Sequence, residues 1–165
     1  MPKHIAELLK DPRAKATLVD MEISGNPRSL SLVRRVLSSC VLSHNFRSQL
    51  LNDVKLAVSE ACTNVIKHAF HFDETKKFDL TIQVSSQFYY VQVIYEDRKF
   101  DPRAIPVPDL DHIHEGGLGV YIMRNIMDLV EFSTDPPTGT VVLRMVKMID
   151  HIVDSGGPDE NRITR

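Results

Sequence analysis

The sequence predicts an α+β fold, a two-layer sandwich with helices on one face of a mixed, mostly antiparallel sheet. Three observations predict it: two helical patterns follow a first strand, two strand patterns then lie side by side, and a further helix and two strands come after a long loop. This order, β-α-α-β-β-loop-α-β-β, clusters the helices between runs of strands. Such clustering is typical of an antiparallel sheet covered on one face.

Strand 16–23 is predicted first, from imperfect alternation of apolar residues. A helix is predicted from Arg28 to about Leu42, where apolar residues recur at helical spacing after Asn26 and Pro27, which suit a cap and a first-turn position. A stronger amphipathic helix is predicted from about Phe46 to Phe70. The remaining predicted elements are strands 78–85 and 88–95, joined at 85–87, helix 118–128, and strands 129–133 and 140–147.

Length and composition indicate an ordinary globular domain. The chain has 165 residues, of which 42% are hydrophobic and 25% charged. We expect one domain over 16–148, an N-terminal lead over 1–15 and a flexible polar tail over 149–165. Cys40 and Cys62 lie in helical patterns and are expected to be reduced core thiols.

Charge and hydropathy exclude several classes of protein. The N-terminus lacks the apolar core of a signal peptide, and no segment approaches the ~20 apolar residues of a membrane span, so a cytoplasmic location is expected. A net charge of -2 without a basic cluster argues against nucleic-acid binding. The expected partner is a small ligand or another protein.

The second helix carries a group of polar residues with chemical potential. Glu60, Asn64 and His68 follow one another at one-turn spacing along one flank, with Lys67 beside them. A carboxylate there can deprotonate a hydroxyl, an amide oxygen suits Mg²⁺, and a lysine attracts phosphate. The spacing alone equally fits solvated polar residues beside a core.

Two further features suit a nucleotide. Asp97 ends a strand, and because a carboxylate only accepts hydrogen bonds, it can select the amino group of adenine over the carbonyl of guanine. Gly116, Gly117 and Gly119 open a helix, where free N–H groups can bind phosphate. Taken alone, Asp97 is as compatible with an ordinary solvated strand end, and the glycine cluster is weak evidence.

The loop over 98–116 is longer than most connections inside a compact domain, and such loops are usually functional. It contains four residues of metal-ligand type, but their crowding and the lack of a second ligand group argue against a metal site held by protein alone. Those residues are Asp109, Asp111, His112 and His114.

In this order, the segments resemble the GHKL, or Bergerat-fold, ATPases, and among them the anti-sigma-factor serine kinases. AVSEACTNVIKHAF (57–70) is similar to the N box, and YEDRKFDP (95–102) looks like a G1 region. GGLGVYIMRNIMD (116–128) looks like G2, and TGT (138–140) looks like G3. The resemblance covers roughly 16–147 and implies the histidine-kinase-like ATPase type of sandwich.

The resemblance also implies a role for individual residues. Glu60 matches the general base and Asn64 the protein ligand of Mg²⁺, while Asp97 matches the acceptor of the adenine amino group. Segment 102–115 would be an ATP lid. Within it, Arg103 is the nearby basic candidate for contact with the γ-phosphate, and the backbone N–H groups around Gly117 to Gly119 are the alternative. The other implied nucleotide-site residues are Lys67, His68, Gly117, Leu118, Gly119 and, near the base, Thr140.

By this resemblance the chain is expected to bind ATP or ADP with Mg²⁺ and to phosphorylate a serine or threonine of an anti-sigma-factor antagonist. It is also expected to sequester a sigma factor and to form a homodimer. One departure supports an alternative: the G1 region lacks the usual glycines after Asp97, which fits a nucleotide-responsive binding module with little or no kinase activity. The catalytic part of a sensor histidine kinase shares the same boxes. With about fifty residues before the N box we expect no phosphoacceptor hairpin, and this alternative applies if the natural protein is longer.

Overall fold

The structure is a computed structural model that describes residues 17–41, 48–105 and 118–149. The predicted lead, the tail from residue 150 onward, and residues 106–117 of the loop and glycine cluster lie outside the described residues. The four residues of metal-ligand type in the loop lie there too. The domain boundaries therefore stay predictions.

Within the described residues, the strands and α-helices follow one another in the predicted order, with a π-helix and a 3₁₀ turn in addition. The strands are β1 (Thr17–Ser24), β2 (Lys77–Val84), β3 (Phe88–Glu96), β4 (Leu129–Asp135) and β5 (Thr140–Met148). The helices are α1 (Ser29–Val41), α2 (Ser48–Asn64), α3 (Leu118–Ile126), a π-helix (Val65–Ala69) and a 3₁₀ turn (Pro102–Ala104).

The strands form one sheet in the order β1-β2-β3-β5-β4, and every neighbouring pair in it is antiparallel. The α+β fold class is thereby confirmed. β5 lies between β3 and β4, with Glu96 opposite Thr140 and Asp135 also opposite Thr140. This arrangement brings the end of β3 beside the turn between β4 and β5.

Strict alternation positions the main core on the helix side of the sheet. In β2, Phe78, Leu80, Ile82 and Val84 are buried, whereas the side chains between them are more exposed. They pack with apolar residues of α1 and α2, such as Leu37. Each fully buried side chain of this kind contributes roughly 1.5–3 kcal/mol to folding.

β3 departs from this alternation at its start, where residues 88–91 are all buried. Tyr89 and Val91 belong to the main core, but Phe88, Tyr90 and Val146 form a second cluster with Leu129 and Met148. Both faces of the sheet are therefore apolar at this end.

The predicted helix over 46–70 is not one continuous α-helix. α2 ends at Asn64 and continues as a π-helix, in which the N–H of Phe70 donates to the carbonyl oxygen of Val65 over 2.9 Å. The chain then turns through His71 and Phe72, both with positive φ. Periodicity cannot distinguish a π-turn from an α-turn over five residues, and π-turns concentrate at functional sites.

Both cysteine side chains are buried, as expected, and burial raises the pKa of Cys62 to about 12. None of the helices in the described part of the chain combines the length and the apolar composition that a membrane-spanning helix needs.

Candidate active site

The amino end of α3 lies directly against α2. A Cβ atom at Gly119 would lie 2.9 Å from Oε2 of Glu60 and 3.1 Å from Oδ1 of Asn64. A real Cβ cannot come as close as the first distance without displacing the carboxylate. Glycine therefore lets the carboxylate, the amide oxygen and the helix backbone converge on one point without a shift of the Glu60 side chain.

A cavity of about 470 Å³ opens beside this point. Of the residues predicted from sequence, Asn64, His68, Asp97 and Gly119 line it. The helix flank and the end of β3, which are about thirty residues apart in the chain, thus face the same space. Its size suits a small organic ligand.

The turn after β3 is closed by the side chain of Asp97. Its Oδ1 accepts the backbone N–H of Lys99 over 2.9 Å, and its carbonyl oxygen accepts the N–H of Phe100 over 3.3 Å. Such turns, in which an aspartate caps the backbone two residues on, need no glycine. None of residues 97–101, all of them described, has a positive φ. The absence of glycine in G1 therefore leaves the backbone unstrained.

A glycine that contacts the turn after β3 lies in a different segment, the turn before β5. The N–H of Asp97 donates to the carbonyl oxygen of Gly139 over 2.8 Å. Gly139 has φ +76°, and a Cβ there would lie 2.5 Å from Cγ of Arg98. Close approach of the two turns thus depends on a residue some forty positions downstream.

Thr140 does not line the main cavity. It lies on a neighbouring groove of about 700 Å³, which it shares with Asp97, Tyr95 and Lys99. Its hydroxyl lies 2.7 Å from that of Thr138. Thr140 and Asp97 therefore share this groove, whereas Asn64 and Asp97 share the main cavity.

Lys67 and His68 occupy different positions within the π-helix. Lys67 is exposed and is not among the residues that line the cavity, whereas His68 is. Partial burial, followed by the positive charges of Lys67 and His71, lowers the pKa of His68. The imidazole is therefore predominantly neutral at pH 7.

Arg103, the candidate γ-phosphate reader, is paired with a neighbour. Its Nε and Nη2 atoms lie 3.0 and 3.1 Å from the two carboxylate oxygens of Asp101. Asp101 lines the cavity, so this pair lies at its rim. Leu118 is exposed at the start of α3, and Gly117 lies outside the described residues.

Sequence reasoning missed the apolar wall of the cavity. Tyr95, Phe100 and Phe132 supply three aromatic side chains, and Val120 and Ile105 add aliphatic ones. Phe100 could have been noticed three residues after Asp97. Phe132 could not, because only the pairing of β4 with β5 brings it there.

These residues suit a nucleotide with Mg²⁺. Asn64 presents an oxygen ligand of the kind Mg²⁺ takes, and it lines the cavity together with Gly119 near the amino end of α3. Within the described ranges, no group of three or more His, Cys, Asp or Glu side chains could hold a metal by itself.

Solved structures resemble the fold. A SiaB–SiaC complex from Pseudomonas aeruginosa contains a chain that superposes with a TM-score of 0.60 at 12% identity, over 88% of this chain and 97% of that one. The RsbU and RsbW domains of a Mycobacterium tuberculosis protein superpose with a TM-score of 0.57 at 10% identity, over 80% of this chain and 32% of that one. At these identities the likeness shows the fold alone.

Sequence comparison identifies the family. Serine-protein kinase RsbW of Bacillus licheniformis is 29% identical over 156 residues, which are 88% of this chain and 95% of the relative. Serine-protein kinase RsbW of Bacillus subtilis is 30% identical over 123 residues, which are 70% and 77% of the two chains. The profile described as histidine kinase-like ATPase domain matches residues 23–147, and an ATPase domain implies ATP binding. The chain therefore belongs to the histidine kinase-like ATPase domain family, within which it is related to the RsbW serine-protein kinases.

Proposed function

We propose that this chain is a cytoplasmic ATP- and Mg²⁺-dependent protein kinase that phosphorylates a serine or threonine of an anti-sigma-factor antagonist. In the same partner-switching system it sequesters a sigma factor, and it acts as a homodimer. The observation that carries the proposal is the convergence of Glu60 and Asn64 on Gly119, beside a cavity that Asp97 also borders. The serine-protein kinase relatives support the choice of a hydroxyl acceptor.

Each residue has a role in this proposal. Glu60 accepts the proton of the attacking hydroxyl, whose oxygen forms the new bond to the γ-phosphorus as the bond to the ADP oxygen breaks. Asn64 supplies an oxygen ligand to Mg²⁺, which when bound neutralises charge on the phosphates. Asp97 accepts a hydrogen bond from the adenine amino group.

The other predicted residues act on the phosphates and the base. Gly117, Leu118 and Gly119 present backbone N–H groups to phosphate at the amino end of α3. His68 lines the cavity beside Asn64 and, being neutral, can donate or accept a hydrogen bond. Lys67 attracts phosphate from outside the cavity, and Thr140, which borders the neighbouring groove together with Asp97, lies near the base.

The alternative of a binding module with little or no kinase activity was motivated by the glycine-free turn after Asp97. That motive weakens, because the Asp97 side chain closes the turn with ordinary backbone angles. We therefore do not expect the lack of glycines after Asp97 to prevent contacts with the nucleotide base.

The decisive experiment compares Glu60→Gln with Glu74→Gln, an exposed control beyond the π-helix. We expect Glu60→Gln to lower phosphotransfer to an RsbW-type antagonist by ~10²-fold while nucleotide affinity is retained. Glu74→Gln should match the wild type in both measurements. Full phosphotransfer in Glu60→Gln would remove Glu60 as the base, and wild-type nucleotide binding without any phosphotransfer would favour the binding module.

A further inference from the structure

Three aromatic rings form a continuous wall of the cavity. The ring centroids of Phe100 and Phe132 lie 5.4 Å apart with an interplanar angle of 36°, and those of Phe100 and Tyr95 lie 6.3 Å apart at 75°. Phe100 is thus the shared member. Tyr95 is buried, whereas Phe100 and Phe132 are only partly buried. Phe100 therefore combines a supported ring with a surface that a ligand can still cover.

The turn after β3 ties this ring to Asp97. The N–H of Phe100 donates to the carbonyl oxygen of Asp97, and the Asp97 side chain accepts the N–H of Lys99, one of the two residues between them. The carboxylate and the ring therefore border the same cavity on one short, hydrogen-bonded segment. Its packing against Tyr95 and Phe132 restricts the ring further.

These two groups can recognise different parts of a purine. A carboxylate reads the polar edge of a base, since it distinguishes an amino group from a carbonyl. An aromatic ring reads the flat face, which all bases share, so stacking adds affinity without selectivity. An apolar wall also excludes the water that would compete for the carboxylate.

We propose that Phe100 is the base-stacking residue of this site and that it supplies affinity for purine nucleotides, while Asp97 supplies the preference for adenine. This inference rests on the proposed function only in so far as the ligand is a nucleotide. It requires no phosphotransfer.

The test measures MgATP and MgGTP binding by calorimetry for the wild type, Phe100→Leu and Asp97→Asn. Because leucine cannot stack on the base, Phe100→Leu should weaken the binding of both nucleotides by about 5-fold or more, which is ~1 kcal/mol or more, and leave the ratio of their affinities unchanged. Asp97→Asn should instead reduce the ATP-to-GTP ratio. Asn can still accept the Lys99 N–H through its own Oδ1, so the turn is kept.

Two control variants separate stacking from damage to the fold. Phe100→Trp retains a flat aromatic ring and should keep affinity within a few-fold of the wild type, whereas Phe72→Leu makes the same substitution at an exposed phenylalanine outside the cavity and should change nothing. Thermal unfolding of every variant confirms that binding is measured on folded protein. Rescue by tryptophan is not expected if Phe100 merely supports the fold.

The outcomes distinguish this inference from the proposed kinase function. Unchanged affinity in Phe100→Leu overturns the stacking role, tighter binding would mean that Phe100 blocks the cavity, and a loss confined to ATP would mean that it reads the edge of the base. A wild type that binds neither nucleotide overturns both proposals. A wild type that binds but does not transfer phosphate overturns the kinase alone.

Discussion

The backbone N–H of Asp97 donates a 2.8 Å hydrogen bond to the carbonyl oxygen of Gly139 and so joins the turn after β3 to the turn before β5. The glycine that permits this contact has φ +76° and lies under the side chain of Arg98. The position of the predicted base-reading carboxylate therefore depends on a residue that does not itself line the main cavity.

The first prediction concerns Gly139→Ala, which should destabilise the protein by about 1–3 kcal/mol because alanine disfavours the left-handed conformation and its Cβ meets Arg98. Urea unfolding measures this loss. The double variant Arg98→Ala, Gly139→Ala should recover the loss of stability that comes from the clash with Arg98, but not the loss that comes from the left-handed φ. Arg98→Ala alone is the control for the effect of removing the arginine. Wild-type stability in Gly139→Ala would contradict the role of the glycine.

The second prediction concerns Gly119→Ala. Alanine in a helix normally stabilises by up to about 1 kcal/mol relative to glycine, but here its Cβ would lie 2.9 Å from the Glu60 carboxylate. We expect the variant to remain folded while phosphotransfer falls by ~10-fold or more, as displacement of a general base requires. Leu118→Ala, at an exposed neighbouring position, should leave stability nearly unchanged. An active Gly119→Ala would show that the close approach has no catalytic importance.

The third prediction is that Asn64→Ala weakens the response to Mg²⁺. Loss of a ligand oxygen should raise the Mg²⁺ concentration for half-maximal nucleotide binding by at least the ~10-fold that supporting residues of metal sites contribute. Asn52→Ala changes an exposed asparagine on the same helix and is the matched control. Equal Mg²⁺ dependence in both variants would exclude Asn64 as the ligand.

The fourth prediction follows from the lowered pKa of His68. The folded state disfavours the protonated His68 side chain, so the unfolded chain binds this proton more readily. The free energy of unfolding is therefore higher at neutral pH and decreases as the pH falls below about 6.5, the pKa of histidine in the unfolded chain. An NMR titration, with His68→Gln to assign the signal, should place the midpoint below that value. Lys67→Gln should raise it, because one of the positive charges is removed. A midpoint at or above the unfolded value would contradict the lowered pKa.

Much of the fold was predictable because it depends on local periodicity. The alternation in 78–84 and the helical spacing in 29–41 each reflect one buried face, and both elements form within one or two residues of the predicted bounds. The predicted helix over 46–70 was wrong only in its last turn, where the backbone becomes a π-helix. That change depends on a local shift of the backbone hydrogen bonds to residues five positions back, which no pattern of apolar residues records.

The sequence by itself determined the family, the order of elements and the chemical character of Glu60, Asn64 and Asp97. Only the tertiary structure decided that Gly119 lies against the first two and that Gly139 supports the third. The tertiary structure also decided that Phe132 packs against Phe100. These relationships join elements that are far apart in the chain, and their distances are set by the pairing of β5 with β3 and β4 and by the packing of α3 on α2. A residue type can reveal what its side chain is able to do, whereas the close approach of two backbones is a property of the assembled layers.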